Sequence, residues 1–406
     1  MFLDKLLSRN PQLVRSAAEL ALSGEIPANT YVLDLDAIAA NGRAIRAAAD
    51  QYGLSLYWML KQVGRNPLVA QALMAEGSAE TVSVDVDCAH ALSTNGFRLG
   101  HIGNLVQIPR SELPGLLADR PEVVSVFSVG KAEQVGQVAR ELGYVQQVLL
   151  RVADPERDTY LAGMEAGFLL DELPEAVERI RRAEGVDIAG VTSFPTVSYA
   201  DSGAPRPTGN FATIRRAAEI LRGLGVDVRQ VNAPGNTCAL TVPLQAEAGA
   251  THIEPGHGFL GTTPYHLQFE DLPEIPAACY VTEVAHHFNG KAYVYGGGFF
   301  VDDPQWLQPG FARQALVGQN VEQLLEQRLP FLGAGSGSSG EFGGIDYYGF
   351  LDADERMAPV GATVVFGFRI QSFVTRANIA VIDHRDGRPR LLGVFDQLGR
   401  RLPWYN

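Results

Sequence analysis

The sequence predicts an α/β protein: a (β/α)8 TIM-type barrel followed by a second, mainly β domain. Three observations carry that prediction. Short apolar runs recur at about 55–61, 81–85, 105–108, 123–128, 147–152, 188–193, 229–233 and 251–255. Helical patterns lie between them, among them Lys131 to Leu142, Leu170 to Ala183 and Asn210 to Leu224, each with apolar residues three and four apart. After about residue 265 this alternation gives way to strand-like segments at 278–284, 292–295, 363–368 and 379–382. Near-continuous apolar strands separated by amphipathic helices imply a parallel sheet covered by helices. Eight of them over about 200 residues fit a closed barrel better than an open doubly wound sheet.

Length and composition bound the rest. A chain of 406 residues is too long for one ordinary core and points to two domains. No apolar run approaches the roughly 20 residues of a membrane helix, and Met1 to Asn10 lacks the pattern of a secretory signal. The net charge of -13 comes without acidic blocks or basic stripes, which argues against nucleic-acid binding. Cys88, Cys238 and Cys279 are scattered and odd in number, so neither a disulfide framework nor a structural zinc is expected. A cytoplasmic enzyme of small molecules is the default class.

Residues 1–25 carry helical apolar spacing at Leu6, Leu7, Leu13, Val14, Ala17, Leu20 and Leu22. Alone they have nothing to bury against, so docking on the later β domain is expected. Tyr31 to Asp36 alternates as a strand, and a helix from Ala37 to Gln51 follows. The predicted division is a helical segment 1–29, a barrel 30–264 and a β domain 265–406.

Leu56 to Lys61 reads as a buried strand closed by a lysine, with a turn at Gly64 and a helix opening at Asn66-Pro67. A lysine at a buried strand end is costly unless it has a role; the bland alternative is an ammonium that snorkels or pairs with a carboxylate. Barrel active sites form at the C-terminal strand ends, often with phosphate held by the loops after strands seven and eight. Here those loops are Ala233-Pro234-Gly235-Asn236-Thr237 and Pro255-Gly256-His257-Gly258. Their small residues let backbone amides approach an anion. Strand one neighbours strand eight in a closed barrel, which sets Lys61 beside a phosphate cradle. That is where pyridoxal phosphate (PLP) would be carried as a Schiff base on the lysine.

Other strand ends supply candidates of their own. Glu254, ending strand eight, suits the pyridine nitrogen, or else caps the Pro255-Gly256 turn. Arg151, ending strand five, suits the cofactor 3-hydroxyl or a substrate carboxylate, or else an ion pair between loops. Asp85 and Ser193 end strands two and six, with a helix cap and a turn residue as the alternatives. His257 lies within the second anion loop. His286 and His287 are adjacent on a strand, face opposite ways and lack a third ligand, so no metal site is expected. The Gly/Ser-rich stretch Gly333 to Gly340 is a plain connection, or else an active-site flap.

The ordered motifs match a known family. They are Lys61-Gln62-Val63-Gly64-Arg65-Asn66-Pro67, Thr192-Ser193-Phe194-Pro195, Asn232-Ala233-Pro234-Gly235-Asn236-Thr237, Glu254-Pro255-Gly256-His257 and Tyr295-Gly296-Gly297-Gly298. In this order, essentially end to end, the chain resembles the alanine racemase-like, fold-type III PLP enzymes, and most closely their YhfX-like branch. The resemblance implies that Lys61 carries the Schiff base and that the loops with Gly235, Asn236, Thr237, Gly256 and His257 bind phosphate. It also implies a homodimer with shared active sites. The departures concern the reaction. Glu254 stands where alanine racemases place arginine, and its Glu-Pro-Gly triplet is similar to that of the ornithine and diaminopimelate decarboxylases. Ser193 replaces the histidine that lies on the cofactor ring. The second acid/base tyrosine has only Tyr295, Tyr347 and Tyr348 as candidates. The Cys-Asp pair of the decarboxylases has only Ile345-Asp346 as its nearest match, and the His…Cys zinc site of D-serine dehydratases is missing. The leading expectation is an amino-acid racemase with Lys61 and Tyr347 or Tyr348 as acid/bases. The alternatives are a decarboxylase or aldolase/lyase, a PLP-binding protein without turnover, and a binder of another phosphorylated metabolite.

Overall fold

The computed structural model describes residues 2–75, 77, 80–156, 166–200, 202–299, 313–334, 345–384 and 387–405. They form two compact units: Arg43–Leu60 with Leu73–Gly258, and Met1–Gly42 with Lys61–Ala72 and Phe259–Asn406. The chain opens on helices α1 (Phe2–Arg9) and α2 (Pro11–Leu22), strand β1 (Thr30–Asp34) and helix α3 (Leu35–Gln51).

The first unit is built on a closed parallel barrel. Its strands are β2 (Ser55–Met59), β3 (Glu80–Ser83), β4 (Leu99–Ile102), β5 (Val123–Val126), β6 (Gln146–Arg151) and β7 (Val186–Thr192). After a short ribbon, β8 (Val197–Tyr199) and β9 (Pro205–Pro207), the barrel closes with β10 (Gln230–Asn232) and β11 (His252–Ile253). Helices α4 (Pro67–Met74), α5 (Val86–Thr94), α6 (Leu113–Ala118), α7 (Val129–Glu141), α8 (Leu173–Arg182), α9 (Gly209–Gly223) and α10 (Val242–Glu247) lie between the strands. Start signals set several of them: Asp85 Oδ1 accepts from the Cys88 amide at 2.7 Å, and Ser128 Oγ from Lys131 at 3.3 Å. On α8 the residues Leu173, Ala176, Val177 and Ile180 recur at helical spacing and are buried.

Seven of the eight predicted runs coincide with barrel strands. The third does not: β4 is Leu99–Ile102, and residues 105–108 belong to the irregular segment after it. Leu99-Gly100-His101-Ile102 carries a glycine and a histidine, so an apolar-run criterion passes over it. Both residues have work inside the barrel. A Cβ on Gly100 would stand 2.5 Å from the Tyr57 ring, and His101 is fully buried.

At the N-terminal ends of the strands sits a second polar group. Gln230 Nε2 donates to Glu122 Oε1 at 2.7 Å and to the Tyr57 hydroxyl at 3.0 Å, and His252 stacks on Tyr57 at 5.2 Å. Arg98 Nε lies 3.1 Å from Glu80 Oε1. Burial, with the charge of Glu122, pushes the Glu80 carboxyl up to about 7. Burial pulls the His252 imidazole down to about 4. The two act on stability with opposite signs. Glu80 contributes most at low pH and loses its contribution as pH rises through about 7; His252 contributes at neutral pH and loses it as pH falls toward about 4. Their slopes oppose each other between roughly pH 4.5 and 6.5. Glu80→Gln is therefore expected to leave unfolding free energy rising with pH across this window. His252→Gln is expected to leave it falling, each by up to about 1 kcal/mol per pH unit. Denaturant melts at several pH values check this; parallel profiles for the two variants would contradict it.

In the second unit a nine-stranded sheet has the order β13-β16-β15-β14-β17-β12-β1-β18-β19. After α11 (Pro264–Gln268) come β12 (Ala278–Phe288), β13 (Lys291–Tyr295), β14 (Gln314–Gly318), α12 (Val321–Glu326) and β15 (Arg328–Ala334). Strands β16 (Tyr348–Leu351), β17 (Thr363–Phe366), β18 (Asn378–Asp383) and β19 (Arg390–Phe395) complete it. Thr30–Asp34, placed with the barrel by the predicted range 30–264, is instead a sheet strand: β1 pairs antiparallel with β12 and parallel with β18. Its five residues are all buried, so it needs cover on both faces and both edges. Asn10 Oδ1 accepts from the Leu13 amide at 3.2 Å and starts α2. That helix lays Leu13, Val14, Ala17 and Leu20 into one core with Cys279, Val281, Leu316 and Val365. Each leucine buried this way contributes roughly 1.5–3 kcal/mol.

Candidate active site

Glu254 stands one residue beyond β11, and its side chain is 1% exposed. Three side-chain nitrogens converge on it. Asn104 Nδ2 reaches Oε2 at 2.6 Å, while Asn232 Nδ2 at 2.9 Å and His101 Nδ1 at 2.6 Å reach Oε1. A carboxylate has roughly four lone-pair sites, so this arrangement leaves it capacity for one further donor. The predicted alternative, a cap on the Pro255-Gly256 turn, does not describe these bonds. His101 Nε2 lies 2.6 Å from Ser125 Oγ, which completes a buried chain from β5 through β4 to Glu254.

Arg151, the last residue of β6, is 3% exposed and donates Nη1 to the Asn104 carbonyl at 3.2 Å. Its guanidinium lies 5.3 Å from the Phe127 ring centroid. Burial pushes it down to about 10, against the attraction of Glu254, so it remains a cation at neutral pH. Arg151 Nε, Ser83 Oγ, Asn104 Oδ1, Thr192 Oγ1 and Asn232 Oδ1 are buried without a hydrogen-bond partner. Arg151, Thr192 and Asn232 are register neighbours across β6, β7 and β10. Orphaned buried polar atoms are rare in native cores, and these gather at the C-terminal ends of the barrel strands. They fit a polar ligand.

The two predicted anion loops touch each other. A Cβ on Gly258 would overlap the Thr237 carbonyl oxygen, and one on Gly235 (φ +143°) would stand 3.0 Å from the Thr196 amide and 3.1 Å from that of Val197. Asn236 has φ +46° and directs Nδ2 to the Val197 carbonyl at 3.4 Å. Thr237 Oγ1 accepts from Gln245 Nε2 at 3.1 Å. Gly256 and His257 are buried. Close backbone in loops of small residues suits a phosphate. Ser193 Oγ lies 2.8 Å from the Val152 carbonyl and 2.7 Å from Asn210 Oδ1, so its hydroxyl ties the β7 end to its surroundings. With an acceptor for a ring N–H, a buried arginine and a small-residue cradle, the residues fit pyridoxal phosphate.

Lys61 does not close a strand. β2 ends at Met59, whose amide donates to the Pro255 carbonyl at 3.0 Å, and Lys61 opens a single 3-10 turn, Lys61–Val63. The chain must turn sharply here: Gly64 has φ +62° and Arg65 φ +52°, and a Cβ on Gly64 would overlap the Ile379 side chain. Ser372 Oγ donates to the Gln62 carbonyl at 2.8 Å, and Lys61 Nζ stands 4.7 Å from the Phe373 ring centroid. Asn66 Oδ1 caps α4, accepting from Leu68 at 3.0 Å. Lys61 is only partly buried, so the expected burial at a strand end is corrected to a partly buried position in a turn.

Tyr347 is 63% exposed, with the Arg376 guanidinium 5.7 Å from its ring. Tyr348 packs edge-on to His286 at 5.0 Å and to Tyr293 at 6.0 Å. The buried Asp346 Oδ2 accepts from the Gly297 and Phe299 amides, both at 2.9 Å, and Arg376 lies 3.0 Å from its Oδ1. Asp346 thus pins the Gly296-Gly297-Gly298 turn. His287 Nε2 bonds the Ala358 carbonyl at 2.7 Å. Residues 335–340 of the Gly/Ser-rich stretch lie outside the described residues. Among the described residues Asp34, Asp36 and His384 could approach a common metal ion. Their atoms already serve Ala37, Asn10, the His384 amide and Ser16, which accounts for the group without a metal.

His101, Asn104 and Ser125 were missed from sequence. A histidine flanked by strand-like apolar residues was the available signal, lost when the third strand was placed downstream.

Comparison with known proteins supplies the family. The family described as "Alanine racemase, N-terminal domain" matches residues 33–264, and "YhfX-like, C-terminal domain" matches residues 279–391. The uncharacterized protein YhfX of Escherichia coli (strain K12) is 36% identical over 406 residues, 99% of this chain and 100% of that protein. Among solved structures, D-threo-3-hydroxyaspartate dehydratase from Delftia sp. HT23 aligns with a TM-score of 0.61 at 19% identity, covering 90% of this chain and 96% of that one. Alanine racemase of Clostridium difficile 630 in complex with cycloserine aligns with a TM-score of 0.64 at 14% identity, covering 92% and 99%. At such identities the structures speak for the fold. The sequence matches go further: this chain belongs to the alanine racemase-like family, in the branch of YhfX.

Proposed function

We propose that this protein is a pyridoxal phosphate enzyme acting at the α-carbon of an amino acid, and that it racemises its substrate. The observation that carries the cofactor reading is the Glu254 carboxylate, held by Asn104, Asn232 and His101 with one acceptor site to spare. When bound, pyridoxal phosphate draws electrons from the α-carbon, and a carboxylate at its ring nitrogen strengthens that pull. Lys61 supplies the amine that holds the cofactor and takes the α-proton on one face. The loops with Gly235, Asn236, Thr237, Gly256 and His257 take the phosphate, and Ser193 keeps the end of β7 in place beside them. Arg151 binds an oxygen of the cofactor or the substrate carboxylate. Tyr347 or Tyr348 returns the proton on the other face, in a cytoplasmic homodimer with shared active sites.

A lyase or decarboxylase is the second reading, and Glu254 favours it. A strongly withdrawing ring suits elimination or cleavage as well as proton exchange. The test is direct. Protein loaded with pyridoxal phosphate is incubated with single L-amino acids, and the products are resolved by chiral chromatography. The D-isomer is expected; ammonia with an oxoacid, carbon dioxide or an aldehyde would instead establish the second reading. A visible band that shifts with amino acids but yields no product would reduce the protein to a binder.

A further inference from the structure

We infer that Ser125 and His101 act as positioning residues that fix how Glu254 presents its remaining lone pair to a cofactor ring nitrogen. The inference rests on the pyridoxal phosphate reading above and adds two residues to it. An ionised carboxylate only accepts, so His101 must donate from Nδ1. Its Nε2 is then free to accept, and the Ser125 hydroxyl at 2.6 Å is placed to donate to it. Ser125 thereby sets the tautomer, and the tautomer sets the bond to Glu254. The same logic governs ligands that are oriented by a second partner.

Burial makes the chain matter. The side chains of His101 and Glu254 are 0% and 1% exposed, so neither can exchange a lost bond for one to solvent. Among the described residues the following groups face them. Asn232 Nδ2 lies 3.3 Å from His101 Nδ1, the Tyr57 ring centroid is 6.1 Å from that of His101, and Arg151 and His252 act on the pair electrostatically. With His101 and Asn232 both on Oε1, the carboxylate cannot rotate without losing two bonds at once. Asn104 on Oε2 then leaves one direction for an incoming N–H.

The experiment compares full-length wild type, His101→Leu, His101→Asn and Ser125→Ala, each loaded with pyridoxal phosphate and freed of excess by gel filtration. Borohydride reduction and peptide mass spectrometry read the lysine that carries the cofactor. Visible absorbance from pH 6 to 9 and the rate of cofactor loss on dialysis read the ring environment. We expect the label on Lys61 in all four proteins. His101→Leu is expected to shift the band and its pH dependence and to lose cofactor about tenfold faster. His101→Asn, which keeps a donor at the Nδ1 position, restores most of the wild-type spectrum, and Ser125→Ala falls between. A wild-type band and retention in His101→Leu overturn the inference. Should that variant fail to fold by circular dichroism, a Ser125→Ala spectrum identical to wild type overturns it. Absence of label on Lys61 in the wild type overturns the cofactor reading itself, and this inference with it.

Discussion

Replacing Lys61 by alanine is expected to give a protein that no longer acquires a visible band with pyridoxal phosphate and whose turnover falls by roughly 10³-fold or more. The physical case is that the other cation over the Phe373 ring, among the described residues, does not substitute for it. Arg65, at 5.7 Å from that ring, carries a guanidinium, which is no nucleophile. The fold should tolerate the change. Lys61 is partly exposed, while its turn is held by main-chain features: the Ser372 bond to the Gln62 carbonyl and the positive φ angles of Gly64 and Arg65. Melting temperature is therefore expected to stay within a few degrees of wild type. Absorbance spectra and thermal melts of the two proteins check both halves. A persistent band in Lys61→Ala would place the cofactor on another lysine.

The second large effect concerns Gly258. Alanine there would overlap the Thr237 carbonyl oxygen and stand 3.1 Å from the Ile45 side chain and 3.2 Å from the Cys238 Cα. Two of these neighbours are backbone, which cannot swing away as a side chain can. The loops after β10 and β11 must separate, at a cost of about 2–4 kcal/mol. Gly258→Ala is expected to melt well below wild type and to bind pyridoxal phosphate poorly, because the same separation opens the anion cradle. Gly223→Ala is the internal comparison. It lies at the end of α9 with open space where the new Cβ would sit, and it is expected to be neutral or mildly stabilising. Equal melting temperatures for the two variants would mean that the loops are not in contact.

Much of the barrel was legible because parallel strands covered on both faces are rich in apolar residues. Val123–Val126 shows this with one serine, and β6 shows it in Val148-Leu149-Leu150, with Arg151 marking the strand end. β4 was not legible for the reason that makes it useful: Gly100 yields space to Tyr57, and His101 turns a polar ring into the barrel. The place of Glu254 after the last strand was legible, but its bonding partners were not, since Asn104 and the His101–Ser125 pair come to it only when the barrel closes. The setting expected for Lys61, the end of a strand, differs from the turn observed. An apolar run shows where a strand can extend, whereas the end of β2 is set by the turn at Gly64, whose tight fit against Ile379 depends on residues three hundred positions away. The role of β1 was hidden likewise, because an alternating five-residue strand does not announce which sheet it will join.

That position of β1 has a bearing on biosynthesis. Thr30 pairs with Val281 on one side and with Asn378 on the other. A ribosome that has released the first hundred residues has therefore delivered a strand destined for complete burial, with neither neighbour yet made. The segments that form the barrel strands leave the ribosome next and can associate in order, but the sheet waits for nearly the entire chain. Contacts of such sequence separation slow folding and leave an unpaired strand exposed to aggregation in the interval. A chain cut at the barrel's end would leave β1 with neither of its neighbours, β12 and β18.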